Sequence, residues 1–288
     1  AGWQGAPGRA PGRSMAASSE EAAREFLRAA GRVLVLTGAG ISTDSGIPDY
    51  RGPNGVWTRN PKAERASHIR FWTSDAEVRA ARWEQMARQR AAGPSRQAKP
   101  NRGHAAVAEL AASGRMSLLV TQNVDGLHQD AGVPPGSVVE IHGSTRSTRC
   151  LDCGHVAPMG ETLDRFEAGE RDPHCRQCGG MLKTATISFG QSLVEEDLAR
   201  AFQAARECDL LLAVGSTLSV YPVAAIVPEA RDAGARVIII NAEPTEMDEI
   251  ADVVVRASIS EVLPSLVAAV GRSQRGDKAQ AAAATSKL

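Results

Sequence analysis

Hydrophobic residues in this chain fall into two patterns that alternate along it. One is a short run of mostly apolar residues, first met at Arg32-Val33-Leu34-Val35-Leu36-Thr37 and again at 118–121, 210–214, 237–241 and 253–255. A strand covered on both faces reads this way, because neither side of its pleat meets water. The other is a longer stretch, at 104–113, 195–206, 223–233 and 259–270, spaced like a helix that buries one face. A further helix comes first: Ser18 or Ser19 caps it, glutamates occupy its first turn where the dipole favours them, and Gly31 ends it. Strands alternating with helices predict an α/β fold, a doubly wound parallel sheet of Rossmann-like type.

Two segments break the alternation. Residues 52–100 are polar, arginine-rich and predicted helical, whereas 150–183 hold four of the five cysteines among short turn-like pieces. They are read as insertions that together form a smaller domain beside a larger one made of 18–51, 101–149 and 184–270. The stretches 1–17 and 271–288 are read as disordered extensions. Lys+Arg and Asp+Glu both number 33, a formal net charge of +0. That balance gives direct nucleic-acid binding no support, since such binding goes with a basic excess. No run approaches the roughly 18 apolar residues that cross a bilayer. Ala1 to Ser14 lacks the apolar core of a secretory signal. The expectation is a cytoplasmic protein without membrane contact, monomeric by default.

Cys150-Leu-Asp-Cys153-Gly154 and Cys175-Arg-Gln-Cys178-Gly179 are two C-x-x-C knuckles, with Cys208 left over. Each pair can place two thiolates on one ion, and together they complete a tetrahedral four-thiolate zinc site. Four cysteines leave no open position, so the predicted zinc is structural. The pattern also favours a reducing compartment over a disulfide framework. His155 and His174 flank the knuckles and are read as loop histidines, a fifth ligand being unneeded.

The first apolar run ends in Gly38-Ala39-Gly40-Ile41-Ser42. A glycine-rich strand-to-helix turn brings backbone amides close to a pyrophosphate, whose charge the helix N-terminus favours. On its own this turn is weak, because G-x-G also marks a plain tight turn and the third glycine of the dehydrogenase fingerprint is missing. The continuation carries more. Gly38-Ala-Gly-Ile-Ser-Thr-Asp-Ser-Gly46-Ile47-Pro-Asp49-Tyr50-Arg51 and Thr121-Gln122-Asn123-Val-Asp125-Gly-Leu-His128 resemble signatures of the sirtuin family. Pro100-Asn101-Arg-Gly-His104, Glu140-Ile-His142-Gly143, Gly215-Ser216-Thr217-Leu218 and Asn241-Ala-Glu243 complete the set, and the knuckles fall where that family carries them. The resemblance covers about residues 22–270.

It implies an NAD-dependent protein lysine deacylase. Gly38, Ala39 and Gly40 would receive the pyrophosphate of NAD, with Ser42 and Arg51 nearby. Asn241 and Glu243 would bind the adenine-ribose hydroxyls, with Gly215 and Ser216 under the adenosine half. Gln122, Asn123 and Asp125, with Ile47 and Asp49, would hold the nicotinamide and twist it toward departure; Tyr50 belongs to the same cofactor set. His142 would be the general base, since an imidazole titrates near operating pH, with Asn123 as its catalytic companion. His104 and His128 are read as structural. The acylated peptide would enter as an added strand between 187–191 and 219–221. Ile187, Phe189, Gly190 and Val220 would contact it there. The implied reaction begins with attack of the acyl oxygen on the nicotinamide ribose as nicotinamide leaves. His142 then activates a ribose hydroxyl, and water completes the release of free lysine and O-acyl-ADP-ribose.

Three departures from the family pattern bear on specificity. Gln191 stands where Phe-Gly-Glu is common, and Gly215-Ser216-Thr217 replaces the commoner Gly-Thr-Ser. The Tyr-x-x-Arg pair that reads acidic acyl groups is missing; Gln85-Met-Ala-Arg88 or Trp83-Glu-Gln-Met is the nearest counterpart, and Arg88 reads as surface charge. Weak activity on acidic acyl groups and better activity on acetyl or apolar ones is therefore expected. Protein mono-ADP-ribosyl transfer from the same NAD pocket remains an alternative, as does a non-catalytic NAD-binding module, which an intact His142 argues against.

Overall fold

The computed structural model describes residues 15–93 and 98–270. The predicted extension at 271–288 and residues 1–14 of the one predicted at 1–17 lie outside the described residues, whereas 15–17, read as part of that extension, begin a helix. Nine strands occur among the described residues: β1 (Val33–Thr37), β2 (Met116–Thr121), β3 (Val138–Glu140), β4 (Ser147–Cys150), β5 (Val156–Pro158), β6 (Leu182–Thr184), β7 (Leu210–Val214), β8 (Arg236–Ile240) and β9 (Val253–Val255). Six form one parallel sheet in the order β3-β2-β1-β7-β8-β9, and β5-β4-β6 form a small antiparallel sheet.

Every residue of β1 and of β7 is buried, which is why both read as unbroken apolar runs. The sheet is covered on both faces. Helix α1 (Met15–Ala29) lies on one of them and begins ahead of the predicted serine caps, Met-Ala-Ala being good helix formers. The helical insertion follows as α2 (Val56–Arg59), α3 (Pro61–Ala66), α4 (Ile69–Thr73) and α5 (Ala76–Ala91). Then come α6 (Arg102–Ala112), α7 (Leu127–Asp130), α8 (Met159–Glu167), α9 (Glu195–Glu207), α10 (Ile226–Asp232) and α11 (Ile259–Val267). Two apolar clusters fill the two sides of the sheet: Val33, Val35, Leu212 and Ile240 with α1, α6 and α11; Leu34, Leu36, Leu211 and Ile239 with α9 and α10.

A third cluster joins the helical insertion to the cysteine segment through Trp72, Trp83, Cys150, Cys175 and Leu182. The Trp72 indole donates to the Leu182 carbonyl at 3.0 Å. Arg79, 7% exposed, grips Asp172 with its Nε and Nη2 and also donates to the Trp72 carbonyl at 3.0 Å. Segment 150–183 is thus more regular than expected, with α8 and parts of the small sheet in it.

Strand order places the switch point of the parallel sheet between β1 and β7, where chains leave in opposite directions and open a crevice. The loops there touch backbone to backbone. A Cβ on Gly40 would lie 2.8 Å from Gly215 Cα, and one on Gly215 (φ +65°) 2.5 Å from the Ile41 nitrogen. Only glycine fits this contact.

Candidate active site

At that crevice one cavity of about 1450 Å³ runs between the sheet's carboxyl ends and the smaller lobe. Gly38, Ala39, Gly40, Ser42, Ile47, Asp49, Tyr50, Arg51, Gln122, Asn123, Asp125, His142, Gly215, Ser216, Asn241 and Glu243 all line it. So do Ile187, Phe189, Gly190 and Val220. The turn after β1 is a 3-10 helix (Ala39–Ser45) and not the start of an α-helix.

Hydrogen bonds fix the polar floor. Asn123 Nδ2 donates to the Gly38 carbonyl and to Ser42 Oγ, each at 3.1 Å, while its own N–H donates to Thr121 Oγ1. Ser42 Oγ donates to Asp125 Oδ2 at 2.8 Å. Its one proton is spent there, so His104 Nε2, 3.4 Å away, must be the donor to Ser42. The other ring nitrogen of His104 accepts from the Asn101 N–H, which gives a neutral tautomer; burial pushes the His104 pKa down in agreement. His128, beneath it, contacts Thr37 Oγ1 at 3.0 Å, and burial pushes its pKa down to about 3. Both histidines support the floor from below.

His142 differs. Its Nδ1 lies 3.1 Å from the Gln122 carbonyl, which can only accept, so Nδ1 carries the proton and Nε2 keeps a lone pair. Desolvation, with a smaller contribution from the Arg51 charge, lowers its pKa and keeps the ring neutral at pH 7. The carbonyl of His142 accepts from Ile187 N–H at 2.8 Å, which ties this histidine to the 187–191 segment.

That segment is held from the other side by the helical insertion. Phe189 N–H donates to the Ser67 carbonyl and its carbonyl accepts from Ile69 N–H. A Cβ on Gly190 (φ +82°) would strike the His68 ring at 2.6 Å. Gln191 Oε1 accepts from Ser188 N–H at 2.8 Å and so closes the turn. Aromatic rings cover the entrance: Trp57 lies 4.5 Å from Tyr50 and 5.4 Å from Phe189, with the Arg51 guanidinium 4.5 Å over Trp57. Trp57 went unread from sequence. So did Phe71, Trp72, Val78, Arg82 and Lys183, which complete the lobe-side wall together with Met86 of the Trp83-Glu-Gln-Met counterpart. Arg88, the arginine singled out from sequence, is exposed and pairs with Glu84.

The sulfurs of Cys150, Cys153, Cys175 and Cys178 all lie within 4.8 Å of one another. Cys150 to Cys178 is 3.5 Å and Cys153 to Cys175 is 3.7 Å, too long for disulfides and near the roughly 3.8 Å edge of a tetrahedron with 2.3 Å zinc–sulfur bonds. Cys153 N–H and Gly180 N–H point at sulfur. Gly154 and Gly179 take the same φ of 74°, so the knuckles are two copies of one turn. The donor set fits one closed, structural zinc.

The sequence model of the Sir2 family matches residues 38–222. The chain is 47% identical over 239 residues to "NAD-dependent protein deacetylase 2" of Streptomyces coelicolor, covering 83% of this chain and 98% of that protein. It is 41% identical over 252 residues to "NAD-dependent protein deacylase 2" of Pyrobaculum aerophilum, covering 87% and 96%. Among solved structures it resembles "Structural Basis for the Mechanism and Regulation of Sir2 Enzymes" at 38% identity and TM-score 0.75, covering 88% of this chain and 98% of the other. It likewise resembles "Sir2-p53 peptide-NAD+" at 30% identity and TM-score 0.71, covering 85% and 95%. The order of the motifs, the parallel sheet with its crevice and the four-cysteine cluster all agree with these likenesses, and the chain belongs to the Sir2 family.

Proposed function

We infer that this chain is an NAD-dependent protein lysine deacylase that moves the acyl group of a modified lysine onto ADP-ribose and frees nicotinamide. The observation that carries the reading is His142: a buried neutral imidazole whose proton is pinned on Nδ1 by the Gln122 carbonyl, leaving Nε2 as a base in the same cavity as Asn123. Bound NAD supplies an electrophilic ribose carbon and a leaving group. A cavity of about 1450 Å³ suits a dinucleotide plus an acyl-lysine, being larger than the roughly 300–1,000 Å³ of common small-molecule pockets.

The chain's own groups take these parts. Gly38, Ala39, Gly40, Gly215 and Ser216 form the close backbone wall for the pyrophosphate and adenosine half, with Ser42 and Arg51 beside it. Asn241 and Glu243 receive the ribose hydroxyls. Ile47, Asp49, Tyr50, Gln122, Asn123 and Asp125 orient the nicotinamide end. His142 Nε2 accepts a proton from a ribose hydroxyl. Ile187, Phe189, Gly190 and Val220 guide the acyl-lysine and exclude water. Cys150, Cys153, Cys175 and Cys178 hold zinc at a distance from the chemistry. The division into a larger domain (18–51, 101–149, 184–270) and a smaller one (52–100, 150–183) places the substrate between them. Among the described residues no helix is long and apolar enough to cross a membrane. The reading includes a cytoplasmic, monomeric enzyme with no membrane or nucleic-acid contact.

The test is an acyl-peptide panel with labelled NAD. Nicotinamide and O-acyl-ADP-ribose should form together, and His142→Ala should lower turnover by about a hundredfold or more. Undiminished deacylation by His142→Ala would refute the mechanism, and label fixed on protein would instead indicate ADP-ribosyl transfer.

A further inference from the structure

Lys183, in the middle of β6, is 3% exposed yet touches the cavity. Its ammonium donates to the Thr186 carbonyl at 2.6 Å, to the Thr184 carbonyl at 3.3 Å and to Thr186 Oγ1 at 3.2 Å. Three donors meet three acceptors, so the group is satisfied without a carboxylate. Its cross-strand neighbour on β4 is Arg149, a second cation, whose Nε is buried without a partner. Burial lowers the Lys183 pKa to about 8, which still leaves it mostly charged at pH 7. A buried ammonium opposite another cation is destabilising. An apolar side chain of similar length would fill the same space without that penalty.

What the ammonium holds is a single peptide group. The Thr186 carbonyl and the Ile187 N–H are its two ends: the carbonyl accepts from Lys183, and the N–H donates to the His142 carbonyl at 2.8 Å. A peptide unit is planar, so a bond at each end fixes its rotation and with it the direction in which residue 187 departs. The stretch before it is close to the backbone beside His142. A Cβ on Gly143 (φ +74°) would sit 2.0 Å from the Ala185 carbonyl oxygen and 3.0 Å from Thr186 Cα. The next peptide group is held at its N–H end only, where Ser188 donates to Gln191 Oε1. Its other end, the Ile187 carbonyl, has no partner among the described residues and is open to an added strand.

Resting on the deacylase reading above, we propose that Lys183 is a positioning residue for the peptide substrate: by fixing the Thr186–Ile187 peptide plane it aims the Ile187 carbonyl at the strand that the substrate adds. Lys183 touches neither the peptide backbone nor the cofactor in this role. It acts through Thr186, so its loss should weaken the acyl-peptide and spare NAD, whose proposed contacts lie on the sheet side of the cavity.

The experiment takes the best acyl-lysine peptide of the panel above and compares wild-type protein with Lys183→Met, Lys183→Gln and Lys183→Arg. Steady-state kinetics in each substrate and calorimetric binding of peptide and of NAD are measured, with zinc content and far-UV circular dichroism as checks of folding. Lys183→Met should raise the peptide KM and Kd about tenfold or more, as expected for losing a hydrogen bond to a charged group. The NAD Kd, and kcat at saturating peptide, should move less than about threefold. Lys183→Arg should recover part of the loss because charge and donors are kept, and more of it than the neutral Lys183→Gln. If Lys183→Met does not fold, Lys183→Gln carries the same comparison of peptide with NAD. Peptide and NAD binding weakened by the same factor, or peptide binding left unchanged, would overturn the proposal while wild-type turnover keeps the deacylase reading standing. Failure of the wild-type protein to turn over any peptide of the panel would remove that reading and the proposal with it.

Discussion

The two walls of the cavity are made in different ways. On the sheet side, Gly38, Gly40 and Gly215 meet through backbone atoms, and Asn123, Ser42, Asp125 and His104 are locked by hydrogen bonds in which each proton has one assignable place. On the other side, side chains from short helices and a three-stranded sheet do the lining, and a cysteine cluster and a buried ion pair keep those elements together. A backbone wall tolerates almost no substitution and suits a ligand that never changes. A side-chain wall can change one residue at a time, which suits the partner that varies.

The largest effect should come from the element that holds the second wall in place. Replacing Cys175 with Ser removes one of four ligands from a site whose metal contributes roughly 10–16 kcal/mol to folding in small zinc modules. Metal content should fall and turnover should vanish, while far-UV circular dichroism should change little because the six-stranded sheet has its own two apolar clusters. Loss of the sheet's signal along with the metal would mean that the two walls are not independent.

Next in size is Arg79→Met. It leaves Asp172 partly buried and unpaired and removes the link from α5 to the cysteine segment. Breaking a buried pair in this way costs about 3–5 kcal/mol, measurable as a fall in the denaturation midpoint. The double variant Arg79→Met with Asp172→Leu should be less unstable than the single one, since no buried charge then remains uncompensated.

The two walls also differed in how far sequence could describe them. Runs such as 33–37 and 210–214 announce central strands because both faces are buried, and the glycine and asparagine motifs follow directly from the strand ends. Strand β3 escaped notice because its Val138-Val139 is cut short by Glu140, whereas the equally short 253–255 is all valine. Strands β4 to β6 escaped because their pairing leans on metal knuckles and on Trp72 more than on alternating apolar residues. The face of α5 toward the cavity was illegible for another reason. Arginine recurs at positions 79, 82, 88 and 90, and only the packing of Trp83 and Arg79 inward shows that Arg82 faces the cavity and Arg88 faces water.

Acid should loosen the sheet-side wall through His128. Burial holds its pKa near 3 in the folded protein, against about 6.5 when unfolded. Below pH 6.5 the unfolded chain therefore binds a proton that the folded one does not. Stability that is present above pH 6.5 is lost as pH falls, by about 1.4 kcal/mol per unit, so roughly 2 kcal/mol at pH 5. In urea titrations at pH 7 and pH 5, His128→Gln should show a pH difference smaller by that amount, even if it is less stable at pH 7. An unchanged pH difference would show that other groups cause the acid sensitivity.

The smallest expected effect isolates the second wall most cleanly. Arg88 and Glu84 form an i,i+4 pair with side chains 76% and 54% exposed. Such pairs contribute about 0.3–0.5 kcal/mol and are screened by salt, so Arg88→Gln should shift the thermal midpoint by no more than about 2 °C. It should leave the ratio of succinyl to acetyl turnover unchanged. If Arg88→Gln shifted acyl preference, long-range charge and not contact at the wall would be setting selectivity, and raising ionic strength should then erase the effect.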